Sequence, residues 1–368
     1  MNEDRTDSAA RTRPPATWSA EVRRAAHVTD DSDVFIGLCE DALSVGGLHH
    51  VAEYRWGVFD YSVDILDRLP GSQGGGFGGD DLDVRRDRFI RLGRQLHYVL
   101  GRMDHVLRSV DSGRLIRSVL QLGDGAVFHY YFRADDYLTG YSLGAGTADA
   151  GDRAMADLVG RFRQEMGLPV MNWGGFGSED DPPRERTVVK EPHRIVEGDW
   201  GSTEPELLAR CAEAVSPDGL HYAGCVGPGI GRLSADVFND PSLSRFFGGL
   251  TRDQRRTRYA ELGDRLHYVV ARLNQSLRAI VPGSLSRVVL DVEEGALFYV
   301  DRPGDHFLLG VTLDQSQVAR ADQQMNALVH RVAATTDEKP PATTDEGLPA
   351  TTDEGLPATT DEKPDNTV

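Results

Sequence analysis

Four histidines and one serine come nearest to chemistry in this chain. His49 and His221, and likewise His97 and His267, occupy matching places in two stretches of similar sequence. Imidazole can serve as a base or a metal ligand near neutral pH. Neither pair sits in an H-E-x-x-H or comparable ligand spacing, and His97 follows Leu96 at the edge of an apolar stripe. Half-buried structural histidines are therefore the expectation. Gly140-Tyr141-Ser142-Leu143-Gly144 satisfies the G-x-S-x-G pattern of a nucleophile elbow. Such an elbow needs a strand turning sharply into a helix above a parallel sheet. Ser142 instead falls at the end of a meander strand, and its counterpart is Thr312, so the match is read as chance.

Two glycine-rich runs, Gly227-Pro228-Gly229-Ile230-Gly231 and Gly74–Gly79, invite a phosphate-cradle reading. Phosphate loops set such glycines at a helix N-terminus, often with a lysine. The only lysines are Lys190, Lys339 and Lys363, remote from both runs, which are read as a hairpin turn and a loop. Asp135 and Asp305 read as turn residues whose carboxylates bond their own backbone. No catalytic, cofactor-binding or metal residue is assigned, and the chain is expected not to be an enzyme.

What positions these residues is a duplication. Sliding the chain of 368 residues by 170 positions lays Arg85–Leu143 on Arg255–Leu313 without a gap. Leu96-His97-Tyr98-Val99 then falls on Leu266-His267-Tyr268-Val269, and a shift of 172 pairs Cys39 with Cys211 and Gly47-Leu48-His49 with Gly219-Leu220-His221. Each copy reads as a helix, a β-hairpin, a long helix, a three-stranded antiparallel meander and a closing helix. In the first copy the spacing predicts a helix over Val34–Leu43 with Ser32 as its N-cap, and a hairpin of Leu48–Tyr54 and Phe59–Ile65 turning near Trp56-Gly57. In the second, Thr203-Glu204-Pro205-Glu206 reads as a capping box before Leu207, Leu208 and Cys211. The long helices carry apolar stripes at a 3.6-residue period: Leu92, Leu96, Met103 and Leu107 in one copy, Leu262, Leu266, Leu273 and Leu277 in the other. Short Gly/Asp/Pro turns between Ile116–Leu122, Ala126–Phe132 and Tyr137–Leu143, and between Ser286–Val292, Ala296–Asp301 and His306–Leu313, give the meanders.

The expected organisation is a disordered segment 1–31, unit 1 at 32–166, a linker 167–202, unit 2 at 203–333 and a disordered acidic tail 334–368. Trp173 and Phe176 in the linker are expected to dock on a unit, since large aromatics are unusual in free linkers. The tail repeats Ala-Thr-Thr-Asp-Glu four times and reads as a solvating spacer.

Composition narrows the partners. With 58 acidic and 40 basic side chains, a net charge of −18 argues against nucleic acid as the main partner. No apolar run approaches the roughly 18 residues of a membrane helix. Cys39, Cys211 and Cys225 form no C-x-x-C and fit a reducing compartment, so a cytoplasmic protein is expected.

At Gly283–Leu290, through Gly295-Ala296-Leu297-Phe298, to Leu308–Leu313, the unit resembles the roadblock family of dynein light-chain-like proteins. The resemblance covers both units and implies an α+β fold of two duplicated roadblock-like (profilin-like) units. It also implies an interaction module: members typically dimerise by pairing sheet edges and long helices, and many regulate or scaffold small Ras-like GTPases. No catalytic residue carries over. Here the edges Arg117–Leu120 and Arg287–Leu290 would be the joining strands, making Arg117, Val119, Leu120, Arg287, Val289 and Leu290 the interaction residues. An intramolecular pseudo-dimer, or a homo-oligomer, follows. The expected function is regulation or scaffolding of another protein, with a small GTPase as candidate. Two alternatives stand beside it: a secretion-chaperone or sensory-regulator protein binding a client segment, and a small-ligand or enzymatic protein using His49, His97, His221 or His267.

Overall fold

The computed structural model describes residues 19–69, 81–169, 171–178, 191–200, 205–227, 229–278, 281 and 283–337. Its centre is one antiparallel sheet of twelve strands. The first half contributes β1 (Glu21–Arg24), α1 (Asp33–Ala42), β2 (His50–Arg55), β3 (Val58–Asp64), α2 (Leu82–Arg108), β4 (Leu115–Leu122), β5 (Gly125–Arg133), β6 (Asp136–Leu143) and α3 (Ala148–Glu165). The second contributes β7 (His193–Gly198), α4 (Pro205–Ala214), β8 (Tyr222–Gly227), β9 (Gly231–Asp236), α5 (Arg252–Leu277), β10 (Leu285–Val292), β11 (Gly295–Arg302), β12 (His306–Thr312) and α6 (Val318–Asp337). The strand order is β1-β3-β2-β6-β5-β4-β10-β11-β12-β8-β9-β7. Each half therefore places its first strand outermost, its hairpin next and its meander inward.

Helices cover both faces, so the strands are buried on both sides and alternate between two cores. Val127 and Tyr141 point toward α2 and α5, joining Leu92, Leu96, Leu262 and Leu266 in one core. Phe128 and Leu138 join Cys39 of α1, Leu158 of α3, Cys211 of α4 and Leu328 of α6 in the other. The repeated sequence also repeats its anchors. Arg86 near the start of α2 makes a two-point ion pair with Asp64 at the end of β3, at 2.8 and 2.9 Å. Arg256 and Asp236 make the same pair between α5 and β9, at 2.8 Å for both bonds. Thr251 and Gln254 close a full capping box on α5, whereas Asp81 caps α2 alone.

Several expectations are corrected. The segment 1–31, expected to be disordered, contains β1, which pairs with β3 from Glu21↔Asp64 to Arg24↔Tyr61. The linker 167–202 likewise contains β7, paired with β9. Under the 172-residue shift β1 lies on β7, so each half begins one strand earlier than the apolar pattern indicated. Both are edge strands with charged, mostly exposed residues, which leaves no apolar alternation to read. Ser32 occupies the N-cap of α1, but its side chain makes no capping bond. Helix α6 runs to Asp337, four residues into the segment expected to be tail. The capping box at Thr203-Glu204, the Gly74–Gly79 run and the rest of the tail lie outside the described residues.

Candidate functional site

The two halves meet along β4 and β10, antiparallel, with Val119 opposite Val289. Those two residues are counterparts under the 170-residue shift. Around them Leu120 faces Val288 and Ser118 faces Leu290, each pair exchanged with its own copy. This is the pattern of a two-fold symmetric interface, in which residue i meets j and j meets i. Helices α2 and α5 touch on one face of the joint. The six residues expected to mediate interaction are thus brought together inside the chain. Val119, Leu120, Val289 and Leu290 are buried.

Charges at the joint break the symmetry. One register step out, Arg117 faces Asp291, whereas the mirror position pairs Arg287 with Gln121. Arg117 is buried; its Nη1 lies 2.8 Å from Asp291 Oδ1, its Nε donates to Tyr130 Oη at 2.9 Å, and it forms an ion pair with Asp152 on α3. Arg287 forms an ion pair with Asp322 on α6, the counterpart of Asp152. Burial pushes the carboxyls of Asp291 and Asp322 up, with Arg117 and Arg287 respectively opposing the shift. Asp152 and Asp322 recur at a shift of 170, a signal available in the sequence but lost among many carboxylates.

The linker caps the charged side of the joint. Gly174 N–H donates to Asp291 Oδ2 at 2.9 Å, and Gln315 Nε2 donates to Asn172 O at 2.7 Å. Phe176 lies under the guanidiniums of Arg117 and Arg153, at 5.5 and 4.8 Å, while Trp173 is buried. Gly174 and Gly175 have φ of 65° and 70°, and a Cβ on Gly175 would sit 2.7 Å from Ala319 N. The backbone turns there in a left-handed conformation that glycine adopts at least cost.

The histidines divide into two kinds. His49 Nδ1 accepts the Leu143 N–H at 2.8 Å while Nε2–H reaches Val45 O at 2.7 Å. His221 repeats this with Leu313 and Pro217, at 2.8 and 2.9 Å. Both are internal clamps joining the start of the hairpin to the end of the meander. Burial pushes the His49 pKa down and that of His221 down to about 4, keeping both neutral. His97 and His267 are half-buried on the long helices. His97 stacks on Tyr137 at 4.2 Å, in a ring cluster with His129, Tyr54 and Tyr131. In the second half the places of His129, Tyr137 and Tyr54 hold Tyr299, Phe307 and Val226, and among the described residues His267 has the Phe307 ring, at 6.2 Å, beside its neighbour Tyr268.

Ser142 is buried and its Oγ donates to Gly47 O at 2.7 Å, at the end of an antiparallel strand. It has neither the exposure nor the elbow geometry of a nucleophile. Cys39, Cys211 and Cys225 are buried, and burial pushes the Cys39 and Cys211 thiols up. Among the described residues no group of three or more His, Cys, Asp or Glu side chains is placed to hold a metal ion. None of the described helices is long and apolar enough to cross a membrane.

What the long helices leave outward is a second shared feature. Tyr98 and Tyr268, counterparts under the 170-residue shift, are 68% and 71% exposed. Large side chains so placed contribute little to the core. Compared with protein-family models and with curated proteins, the chain matches none.

Proposed function

We propose that the chain is a non-enzymatic scaffold or regulator, a tandem of two roadblock-like units that supplies in one polypeptide the paired arrangement such units otherwise reach by dimerising. The observation that supports this reading best is the β4–β10 joint, with counterpart residues opposite each other and both long helices on one face. That is the edge-and-helix pairing the family resemblance implies. With the joining edges used internally, the surface left for a partner is the long-helix face carrying Tyr98 and Tyr268. A small Ras-like GTPase is the partner class the resemblance favours. The client-binding alternative draws less support, because the exposed large apolar side chains of the described residues are scattered through the fold.

The test is affinity capture from native lysate with tagged full-length protein, with and without a GTP analogue. Recovery of a GTPase in one nucleotide state, lost in a Tyr98→Ala/Tyr268→Ala variant, is the expected result. Capture of unfolded or secreted clients with no GTPase would overturn it.

A further inference from the structure

The two halves differ in chemistry at one cavity. A cavity of about 540 Å³ opens where the end of β5 and the start of β4 meet α2 and the C-terminal turn of α3. Its volume lies within the roughly 300–1,000 Å³ typical of small-molecule sites. Arg108, Arg114, Arg133 and Arg163 line it, against the carboxylates of Asp104 and Asp135. The rings of His97 and Tyr131 form one wall, with Tyr131 Oη 3.3 Å from His97 Nδ1. Apolar side chains, among them Leu115 and Met171, complete the lining. Such a concentration of arginine stands out in a chain of net charge −18.

Three of these guanidiniums have carboxylate partners: Arg108 with Asp104, Arg133 with Asp136, and Arg114 with Glu293 across the joint. Arg163 has none among the described residues. Its Nε donates to Pro169 O at 2.7 Å and its Nη1 to Phe132 O at 2.6 Å, while Trp173 lies under it at 5.7 Å. Two main-chain carbonyls and an indole thus hold a cation rigidly at the cavity wall without neutralising it. Partial burial pushes its pKa down, which is the cost of leaving the charge uncompensated.

The duplicated half provides an internal comparison. Under the 170-residue shift, Arg114, Arg133 and Arg163 become Ser284, Pro303 and Ala333, and Tyr131 becomes Asp301. Of the four arginines only Arg108 keeps its type, as Arg278. The fold the two halves share therefore does not need them, although Arg114 also pairs with Glu293 at the joint and Arg163 also holds Trp173 of the linker. Guanidiniums around a concave site suit the oxygens of a phosphate, to which the terminal nitrogens left over on Arg163 and Arg133 can donate charge-assisted hydrogen bonds.

We propose that this cavity binds a small phosphorylated molecule with a flat apolar body, of the size and chemistry of a nucleoside monophosphate. Arg163 and Arg133 hold the phosphate, and the Tyr131 and His97 wall takes the flat body. The proposal does not depend on which protein the long-helix face recruits.

Isothermal titration of the full chain with AMP, and separately with inorganic phosphate, tests it. AMP is expected to bind at least about tenfold more tightly than phosphate, as one ring contact added to the same anion site requires. Arg163→Gln and the half-exposed Arg133→Gln should each weaken AMP binding by about tenfold or more, the effect of one charge-assisted hydrogen bond. Arg278→Gln, in the other half, should leave it unchanged. Arg133 also neutralises the buried Asp136, so each variant is checked for native circular dichroism, and the comparison of AMP with phosphate on the unmodified chain answers even if a variant fails to fold. Absence of AMP binding at millimolar concentration, equal affinities for AMP and phosphate, or equal losses from Arg278→Gln and Arg133→Gln would overturn the assignment.

Discussion

Replacing Asp291 by alanine isolates the energetic centre of the joint. Its carboxylate is fully buried, 2.8 Å from Arg117 Nη1, and accepts the Gly174 N–H at 2.9 Å. Removing one member of a buried ion pair typically costs about 3–5 kcal/mol, because the surviving charge stays desolvated. Arg117 keeps Asp152, so the charge is not orphaned and the loss should fall at the lower end. The unpaired Gly174 N–H adds about 1 kcal/mol or more. A total near 4 kcal/mol follows, a large fraction of the roughly 5–15 kcal/mol that holds a typical domain folded. The control is Gln121→Ala, the same position in the other half, opposite Arg287. Gln121 is only half-buried, and its loss should cost less than about 1 kcal/mol. Urea unfolding at neutral pH, followed by far-ultraviolet circular dichroism, measures both. Losses that agree within about 1 kcal/mol would refute the argument that charge at the joint is asymmetric and that the linker cap depends on it.

Three further outcomes follow from the same structure. Gly175→Ala places a Cβ 2.7 Å from Ala319 N at a positive φ, so it should destabilise by about 2 kcal/mol and raise quenching of tryptophan emission by acrylamide as Trp173 is uncovered; unchanged quenching would contradict the docked linker. His221 accepts a main-chain N–H through Nδ1 and its pKa is lowered to about 4 from an ordinary 6.5, so the unfolded chain binds the proton first as pH falls. Stability should be fully present above about 6.5 and decline toward pH 4, with His221→Gln flattening that slope in urea titrations at stepped pH. Ser142→Ala should cost about 1 kcal/mol through the lost bond to Gly47 O, and the unmodified protein should resist labelling by a fluorophosphonate serine probe; rapid labelling would reinstate the nucleophile reading.

Much of the architecture was legible because it rests on local pattern. The 3.6-residue stripes of α2 and α5 needed only Leu92 to Leu107 and their copies, and the meander turns announced themselves through Gly, Asp and Pro. Repetition sharpened the reading, since a pattern seen twice is hard to obtain by chance. The edge strands β1 and β7 escaped because one-sided, charged strands carry no apolar alternation. The Arg117–Asp291–Asp152 cluster escaped because its members lie on separate elements and become partners only when β4 and β10 align. The cavity escaped for the same reason: Arg133 and Arg163 are unremarkable surface residues until the end of β5 meets α3.

By itself the sequence determined that this chain is a duplication, which helices and hairpins each copy forms, and that Ser142 lacks the local setting its motif requires. Those properties depend on neighbours a few residues away, or on comparison of one copy with the other. Tertiary structure alone decided that the halves share one sheet, that His49 and His221 are clamps while His97 faces a cavity, and that the linker seals one side of a near-symmetric joint. Burial, pairing and the sharing of a cavity wall depend on distances between residues far apart in the chain, and only the packed fold sets those distances.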